Sequence, residues 1–192
     1  MNADPLAYLI DVVFDAYILV LLLRFLLQLV RADFRNPVSQ FVITVTDPPL
    51  RPLRMILPRV GGQDTASIVL MVALKCAHVA ILLALSNSQA GIGQILIHAV
   101  AGLINLTIYV YIIALIVQAI MSWVGSDHYS PVGSILYALN EPLLAPIRRV
   151  IPPISGIDLS PLVAIVGLNL LQMILVPAIR DLAGPVRVAA GI

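Results

Sequence analysis

The sequence predicts an all-α membrane protein: four transmembrane helices in two tandem two-span repeats, each with two short amphipathic cytoplasmic helices. Three observations carry this expectation. Of the 192 residues, 60% are hydrophobic and 11% charged, with a mean hydropathy of +1.03, too little charge to cover the surface of a soluble domain. Four apolar stretches are long enough to cross a bilayer, which takes about 20 helical residues. The chain also matches itself when slid along by 94 residues.

The first stretch runs from Leu6 to Val30. It follows "MNADP", which carries acid rather than lysine or arginine, and the apolar run is too long for a signal peptide, so the N-terminus is expected to be kept. The second runs from Ser67 to Leu85. The third runs from Ile92 to Trp123, with the span itself taken as about 94–123; it exceeds a bilayer's need and either tilts or begins outside. The fourth runs from Pro161 to Leu182. Arg31, Arg35, Arg51, Arg54 and Arg59 follow the first span, and Arg148 and Arg149 follow the third. The connection "SNSQAGIG" has no basic residue, and the C-terminal end has Arg180 and Arg187. Seven arginines against two place loops 31–66 and 124–160 in the cytoplasm and both termini in the periplasm. Trp123 then belongs at the cytoplasmic interface.

The repeat aligns "NPVSQFVITVTDPPLRPLRMILPRVGGQDTASIV" with "SPVGSILYALNEPLLAPIRRVIPPISGIDLSPLV" without a gap. Among its identities are Pro37/Pro131, Pro48/Pro142, Arg54/Arg148, Gly62/Gly156 and Asp64/Asp158; Tyr17/Tyr111 and Asp33/Asp127 extend it. One structural unit is used twice, giving repeats 1–93 and 94–192 of a single membrane domain. Two spans per unit imply the same orientation for both and a pseudo-twofold axis along the membrane normal.

Each cytoplasmic loop is expected to carry two short helices, starting at Asn36-Pro37 and Asp47-Pro48, then at Ser130-Pro131 and Glu141-Pro142. Proline suits a first helical turn, and Asn, Asp and Ser are good caps, Glu a weaker one. The apolar stripes are Val38, Phe41, Val42, Val45 and Val132, Ile135, Leu136, Leu139, then Leu50, Leu53 and Leu57. Pro52 and Pro146 interrupt the second helices, and Pro58 and Pro152 help end them. Such helices lie in the headgroup region or, on the sharper reading, form re-entrant loops. Gly62 and Gly156 allow turns. Asp64 and Asp158 cap the next spans, with Pro161 in a first turn, unless these aspartates serve a pore or a proton path.

On the words "LLLRFLLQLVRADFRNPVSQFV", "DPPLRPLRMILPRVGGQDTAS", "MSWV" and "EPLLAPIRRVIPPISGIDLSP", the chain resembles the YggT family of small bacterial inner-membrane proteins, related to chloroplast proteins of cytochrome b6f biogenesis. The match covers nearly the whole chain, and the doubled P-L-x-P-[LI]-R element is its specific part. The first copy departs from the fuller second one at Arg51, Met55 and Gln63-Asp64-Thr65-Ala66. The resemblance implies a four-span bacterial inner-membrane protein without established catalytic residues. It also implies links to osmotic or potassium stress tolerance, cell division and membrane-complex assembly.

No P-loop, G-x-G-x-x-G, HExxH or G-x-S-x-G occurs, and Cys76 is the only cysteine, so an enzyme, a disulfide and a CxxC metal motif find no support. No cofactor is expected. His78 and His98 fall on different spans at different expected depths, against a two-histidine haem site. A net charge of +1 gives no reason to expect nucleic acid. The informative residues are polar ones inside spans, which are costly and default to a functional hypothesis. Arg24 either snorkels to the cytoplasmic surface or binds; Lys75 either pairs with Asp15 or coordinates a solute. At the repeat offset, Asp11 falls on Asn105, Arg24 on Gln118, Gln28 on Ser122, Lys75 on Asn169 and His78 on Gln172. Asp11 and Asp15 lie in the outer half of the first span. The i, i+4 pairs Arg24/Gln28 and Gln118/Ser122 and the i, i+3 pairs Lys75/His78 and Asn169/Gln172 predict one polar layer in the cytoplasmic half, cationic in the first repeat and neutral in the second. Arg54 and Arg148 are expected as equivalent anchors to lipid phosphate or to acids such as Asp64 and Asp158. These features predict a non-enzymatic protein that supports membrane-complex assembly, touching the bilayer and either a membrane-protein partner or its own copies. The alternative is a small ion or solute channel or transporter acting as an oligomer.

Overall fold

A computed structural model describes residues 5–58, 63–124, 130–151, 158–184 and 187–188. Helix α1 (Pro5–Leu29) is followed by α2 (Pro37–Ile56), α3 (Thr65–Leu85), the two-residue strand β1 (Ser88–Gln89), α4 (Ile92–Val124), α5 (Pro131–Val150), α6 (Ser160–Asp181) and the strand β2 (Arg187–Val188). Helices α1, α3, α4 and α6 are the four long apolar helices that the sequence predicts. Their ends lie within about two residues of the predicted ones. At 1.5 Å per residue α3 is about 32 Å long, one hydrocarbon thickness, whereas the 33-residue α4 reaches about 50 Å and overshoots it.

Helix α1 stops at a left-handed turn. Arg31 has φ 54°, its N–H bonds to the Gln28 carbonyl, and the Ala32 N–H reaches back to the Leu27 carbonyl. This pair of bonds is the Schellman closure, here with arginine where glycine is usual. Asn87, at φ 51°, turns the chain after α3. There β1 pairs antiparallel with β2, Ser88 opposite Val188, and Gln94 Nε2 donates to the Ala183 carbonyl. That end of the molecule is thus tied across the two repeats, a contact the sequence did not announce.

The loops differ from expectation. Each contains one 20-residue helix rather than two short ones. Asn36 and Ser130 do open them, their side chains accepting from Val38 N and Gly133 N. Asp47-Pro48 and Glu141-Pro142, however, lie inside α2 and α5, so Asp47 and Glu141 are not caps. A proline removes one internal hydrogen bond and crowds the preceding turn; here side-chain contacts made by the same segments hold the helix through it, as described below. The buried stripe also differs: Ser39, Val42, Thr46 and Leu50 in α2, with Phe41 and Val45 turned outward. Thr46 displaces a larger apolar residue because its hydroxyl has a buried partner on α1. The turns at Gly62 and Gly156, Pro152, Arg59, Asp127 and the side chain of Trp123 lie outside the described residues.

In the packing, α1 meets α3, α3 meets α4, and α4 meets α6, so the spans pack in chain order. Helix α2 lies against α1 and α3, and α5 against α4 and α6, the same arrangement in each repeat. The two loop helices touch where Asn36 Nδ2 donates to the Pro131 carbonyl at 2.6 Å and to Ser134 Oγ at 3.0 Å. Repeat-equivalent leucines fill the same place in each half. Leu21 and Leu50 in the first, Leu115 and Leu144 in the second, are each 0% exposed. We therefore expect Leu50→Ala and Leu144→Ala each to cost about 2–5 kcal/mol, measured by denaturant unfolding in micelles. Phe41→Ala, on the outward face, is expected to change stability by less than a quarter as much.

Candidate functional site

Arg24 is five residues from the end of α1, with 7% of its surface exposed. Its guanidinium donates to Thr46 Oγ1 at 2.6 Å, Asp47 Oδ1 at 2.7 Å and the Ile43 carbonyl at 3.3 Å. Thr46 in turn donates to the Val42 carbonyl. A buried cation at the loop-side end of a span is thus satisfied by the loop helix itself, not by snorkelling to water. At the equivalent positions of the second repeat, Asn140 Nδ2 donates to Gln118 Oε1 at 2.7 Å. The geometry is kept while the charge is lost.

Arg54 bridges α2 to the start of α3. It donates through Nε to Asp64 Oδ2 at 3.1 Å, through Nη2 to the same oxygen, and through Nη1 to Asp47 Oδ1 at 3.3 Å. Arg148 repeats this, with Nε to Asp158 Oδ2 at 2.9 Å and Nη1 to Glu141 Oε2 at 2.7 Å. Both arginines are therefore committed to acidic residues of their own repeat. Asp64 occupies the cap position of α3 but makes no side-chain cap bond; Ser67 Oγ and Arg54 take its carboxylate. Asp158 precedes the cap residue Leu159 of α6 and accepts from Ser160 N at 2.9 Å. Burial pushes the Asp64 carboxyl up, but the hydrogen bonds of Arg54 and Ser67 and the Arg54 charge outweigh it, holding Asp64 below the usual carboxylate range. Asp158 is held low in the same way by Ser160 and Arg148 against its burial, and Asp47 chiefly by Arg24.

A second polar group lies between α1 and α3, farther from the loop helices. Lys75 Nζ is 2.6 Å from Asp15 Oδ1 and 3.1 Å from His78 Nδ1, and His78 Nε2 is 2.7 Å from Asp11 Oδ1. An ammonium can only donate, so Nδ1 of His78 must accept and the ring proton belongs on Nε2, donated to Asp11. His78 is buried and stacked on Phe14, ring centres 5.2 Å apart. With a neutral imidazole the group holds two carboxylates and one ammonium, leaving one negative charge in excess. In the second repeat Gln172 Nε2 donates to Asn105 Oδ1 at 2.9 Å, again the same pair of positions without charge. Lys75 lies close over Gly102 of α4, where an added Cβ would be 2.8 Å from Lys75 Cε.

These groups line a cleft of about 520 Å³ that also receives His98, Asn105 and Tyr109 from α4 and Arg180 from α6. Arg180 brings a further cation to the same cleft. Two expectations need correction. The polar positions form two levels, not one layer. Arg24 and Gln118 lie beside the loop helices, whereas His78 and Lys75 are bonded to Asp11 and Asp15, which precede the loop-side end of α1 by 18 and 14 residues, about 27 and 21 Å. His78 and His98 also share this cleft instead of lying at different depths. The remaining positions scatter: Gln28 is half-buried, Ser122 is exposed, and Asn169 is exposed and bonded to the Ile165 carbonyl of its own helix. Thr46, Asn140, Gly102, Tyr109 and Arg180 escaped the sequence reading. Thr46 and Asn140 had a signal, being offset by 94 beside Asp47 and Glu141, but their types differ. Among the described residues no group of three or more His, Cys, Asp or Glu is placed to hold a metal ion.

A model of the CCB3/YggT family matches residues 3–85 and again 97–179, two copies at the offset read from the sequence. An uncharacterized protein of Pseudomonas aeruginosa is 39% identical over 179 residues, 92% of this chain and 91% of its own length. The uncharacterized protein YggT of Escherichia coli K12 is 39% identical over 173 residues, 88% of each chain. An uncharacterized protein of Haemophilus influenzae is 35% identical over 191 residues, 100% of both. No solved structure matches.

The two arginine bridges should respond unequally to disruption. The Asp64 side chain is 2% exposed and that of Asp158 is 31% exposed. Arg54→Ala strands a buried carboxylate and is expected to cost about 3 kcal/mol, Arg148→Ala about 1 kcal/mol or less, read from unfolding midpoints at neutral pH. Because the folded carboxyls titrate below the unfolded value of about 3.9, their stabilisation is complete above that value. It is lost as pH falls through the folded range, so stability should decline from about pH 4 downward. In Arg54→Ala the decline should be shallower; an equal slope would exclude Arg54 as its source.

Proposed function

The chain belongs to the CCB3/YggT family and spans the bilayer, and from that premise we propose a non-enzymatic inner-membrane protein that supports the assembly or organisation of other membrane complexes. The observation that carries this reading is the pair of loop helices. Each is clamped to its own repeat by an arginine bridge, and the two are joined through Asn36, which makes a firm platform out of segments that would otherwise be loops. The platform's rim supplies a contact surface. Ile56 and Val150, equivalent in the repeat, are 78% and 81% exposed, and Arg51, also on α2, has a 76% exposed side chain. In this reading repeats 1–93 and 94–192 act as one membrane domain, loops 31–66 and 124–160 are cytoplasmic, and both termini are periplasmic. The seven-to-two arginine asymmetry supports that orientation. Bilayer lipid and a membrane-protein partner share the platform, and a role in osmotic or ion stress tolerance would act through that partner.

The cleft favours a second reading, a small ion or solute channel or transporter that works as an oligomer. Intramembrane ionisable residues commonly mark such paths, and internal repeats are common in transporters. Four spans make a thin wall for a pore, hence the oligomer.

Two experiments test these readings. A reporter fused after Arg59 is expected to be active only in the cytoplasm; periplasmic activity would overturn the orientation. Purified protein in liposomes is expected to show no selective ion flux, while a membrane partner co-purifies with the wild type and is lost from a folded Ile56→Asp, Val150→Asp double variant. Selective flux abolished by Lys75→Ala or Arg24→Ala would replace the platform reading with the transport one.

A further inference from the structure

Asn169 is out of place for a lone chain in a bilayer. It is the tenth residue of the 22-residue α6, about 14 Å from the helix start, and therefore deep in the hydrocarbon. Yet it is exposed. Its Nδ2 donates to the Ile165 carbonyl at 2.8 Å, and its Oδ1 accepts no hydrogen bond among the described residues. The equivalent position in the first repeat is Lys75, which is paired with Asp15. Asp15 corresponds to Tyr109 in the second repeat, so Asn169 has lost the partner its position enjoys there. Amides at this depth seek a hydrogen bond across a helix interface.

The surface around Asn169 has the pattern of such an interface. Leu162, Val166, Asn169 and Met173 follow one another at spacings of four, three and four residues, the period that keeps two helices in contact along their length. The three apolar members are 61%, 52% and 73% exposed. Their counterparts on α3 are Ile68, Val72 and Val79, of which the last two are half-buried where α3 meets α4. Among the described residues nothing performs that covering for α6.

We propose that a second copy of this chain covers it: two α6 helices pack side by side about a twofold axis with their Asn169 amides hydrogen-bonded to each other. The amide argues for a second copy over another occupant, because it is self-complementary. After bonding Ile165 it keeps one N–H and one carbonyl oxygen, and a symmetry-related amide offers the same two groups in return. Both copies enter the membrane in the same sense, so the helices run parallel and Asn169 meets Asn169 at equal depth.

The test uses the full chain in lipid bilayers, in a Cys76→Ser background. Met173→Cys is expected to form disulfide-linked dimers on oxidation, and Ile116→Cys, exposed on α4, is not. Single-molecule photobleaching should give two-step traces for the wild type. Asn169→Leu, a polar-to-apolar change on an exposed site, should fold and weaken association by about 3- to 30-fold, while Asn169→Gln should retain most of it. A monomeric wild type, equal crosslinking at residues 116 and 173, or an Asn169→Leu dimer of unchanged strength would each overturn the proposal. The crosslinking arm stands even if Asn169→Leu fails to fold, since it keeps the native amide.

Discussion

Hydrocarbon offers no hydrogen bonds, so every polar group placed in it must be answered by the protein. The architecture follows from that constraint. Arg24 needs Thr46 and Asp47 beside it, which requires α2 to lie against the end of α1. Asp47 in turn helps hold Arg54, and Arg54 reaches Asp64 at the start of α3. A chain of donors and acceptors therefore fixes span, loop helix and next span relative to one another. The apolar contacts at Leu21 and Leu50 fill the space this leaves. Carried forward by 94 residues, the same relation joins Gln118 to Asn140 and Arg148 to both Glu141 and Asp158.

The four spans, their limits and their duplication were legible because they depend on run length and self-similarity. Both survive without any knowledge of tertiary contacts. The pairing of Lys75 with Asp15 was legible for a related reason, since few acids lie in the spans. The single helix in each loop was not. Asp47-Pro48 has the local signature of a helix start, and only the distant Arg24 gives Asp47 a reason to sit mid-helix. Phe41 misled in the same way: it fits an apolar stripe by spacing, but the position facing Arg24 had to be Thr46. Depth was misjudged for Lys75 and His78 because their level was taken from the repeat register, although Asp15 and Asp11, their partners, lie toward the opposite end of α1. Arg180 was set aside as a tail residue, although α6 continues through it and turns it to the cleft.

The two halves conserve shape and differ in charge. Where the first uses Arg24 and Thr46, the second uses Gln118 and Asn140; where the first uses His78 and Asp11, the second uses Gln172 and Asn105. Neutral amide pairs satisfy the same geometry with less desolvation. The substitution leaves residue: Asn140 Oδ1 is buried with no hydrogen-bond partner among the described residues. The charged contacts kept in both halves are those of the bridging arginine, Arg54 to Asp47 and Asp64 and Arg148 to Glu141 and Asp158, and they lie at the ends of the spans, where ions are less costly to hold.

That successive spans are also spatial neighbours bears on how the chain enters the membrane. As α1 leaves the insertion machinery it carries Asp11, Asp15 and Arg24 with none of their partners yet made. Each added segment then answers groups already in place: α2 takes Arg24, and α3 brings Lys75 and His78 to the aspartates. The ion pairs within the first half can thus all form before α4 begins, and the second half answers the corresponding interior positions with neutral amides. Synthesis order and contact order coincide, so the most highly charged half is the one that assembles with nothing else of the chain yet present.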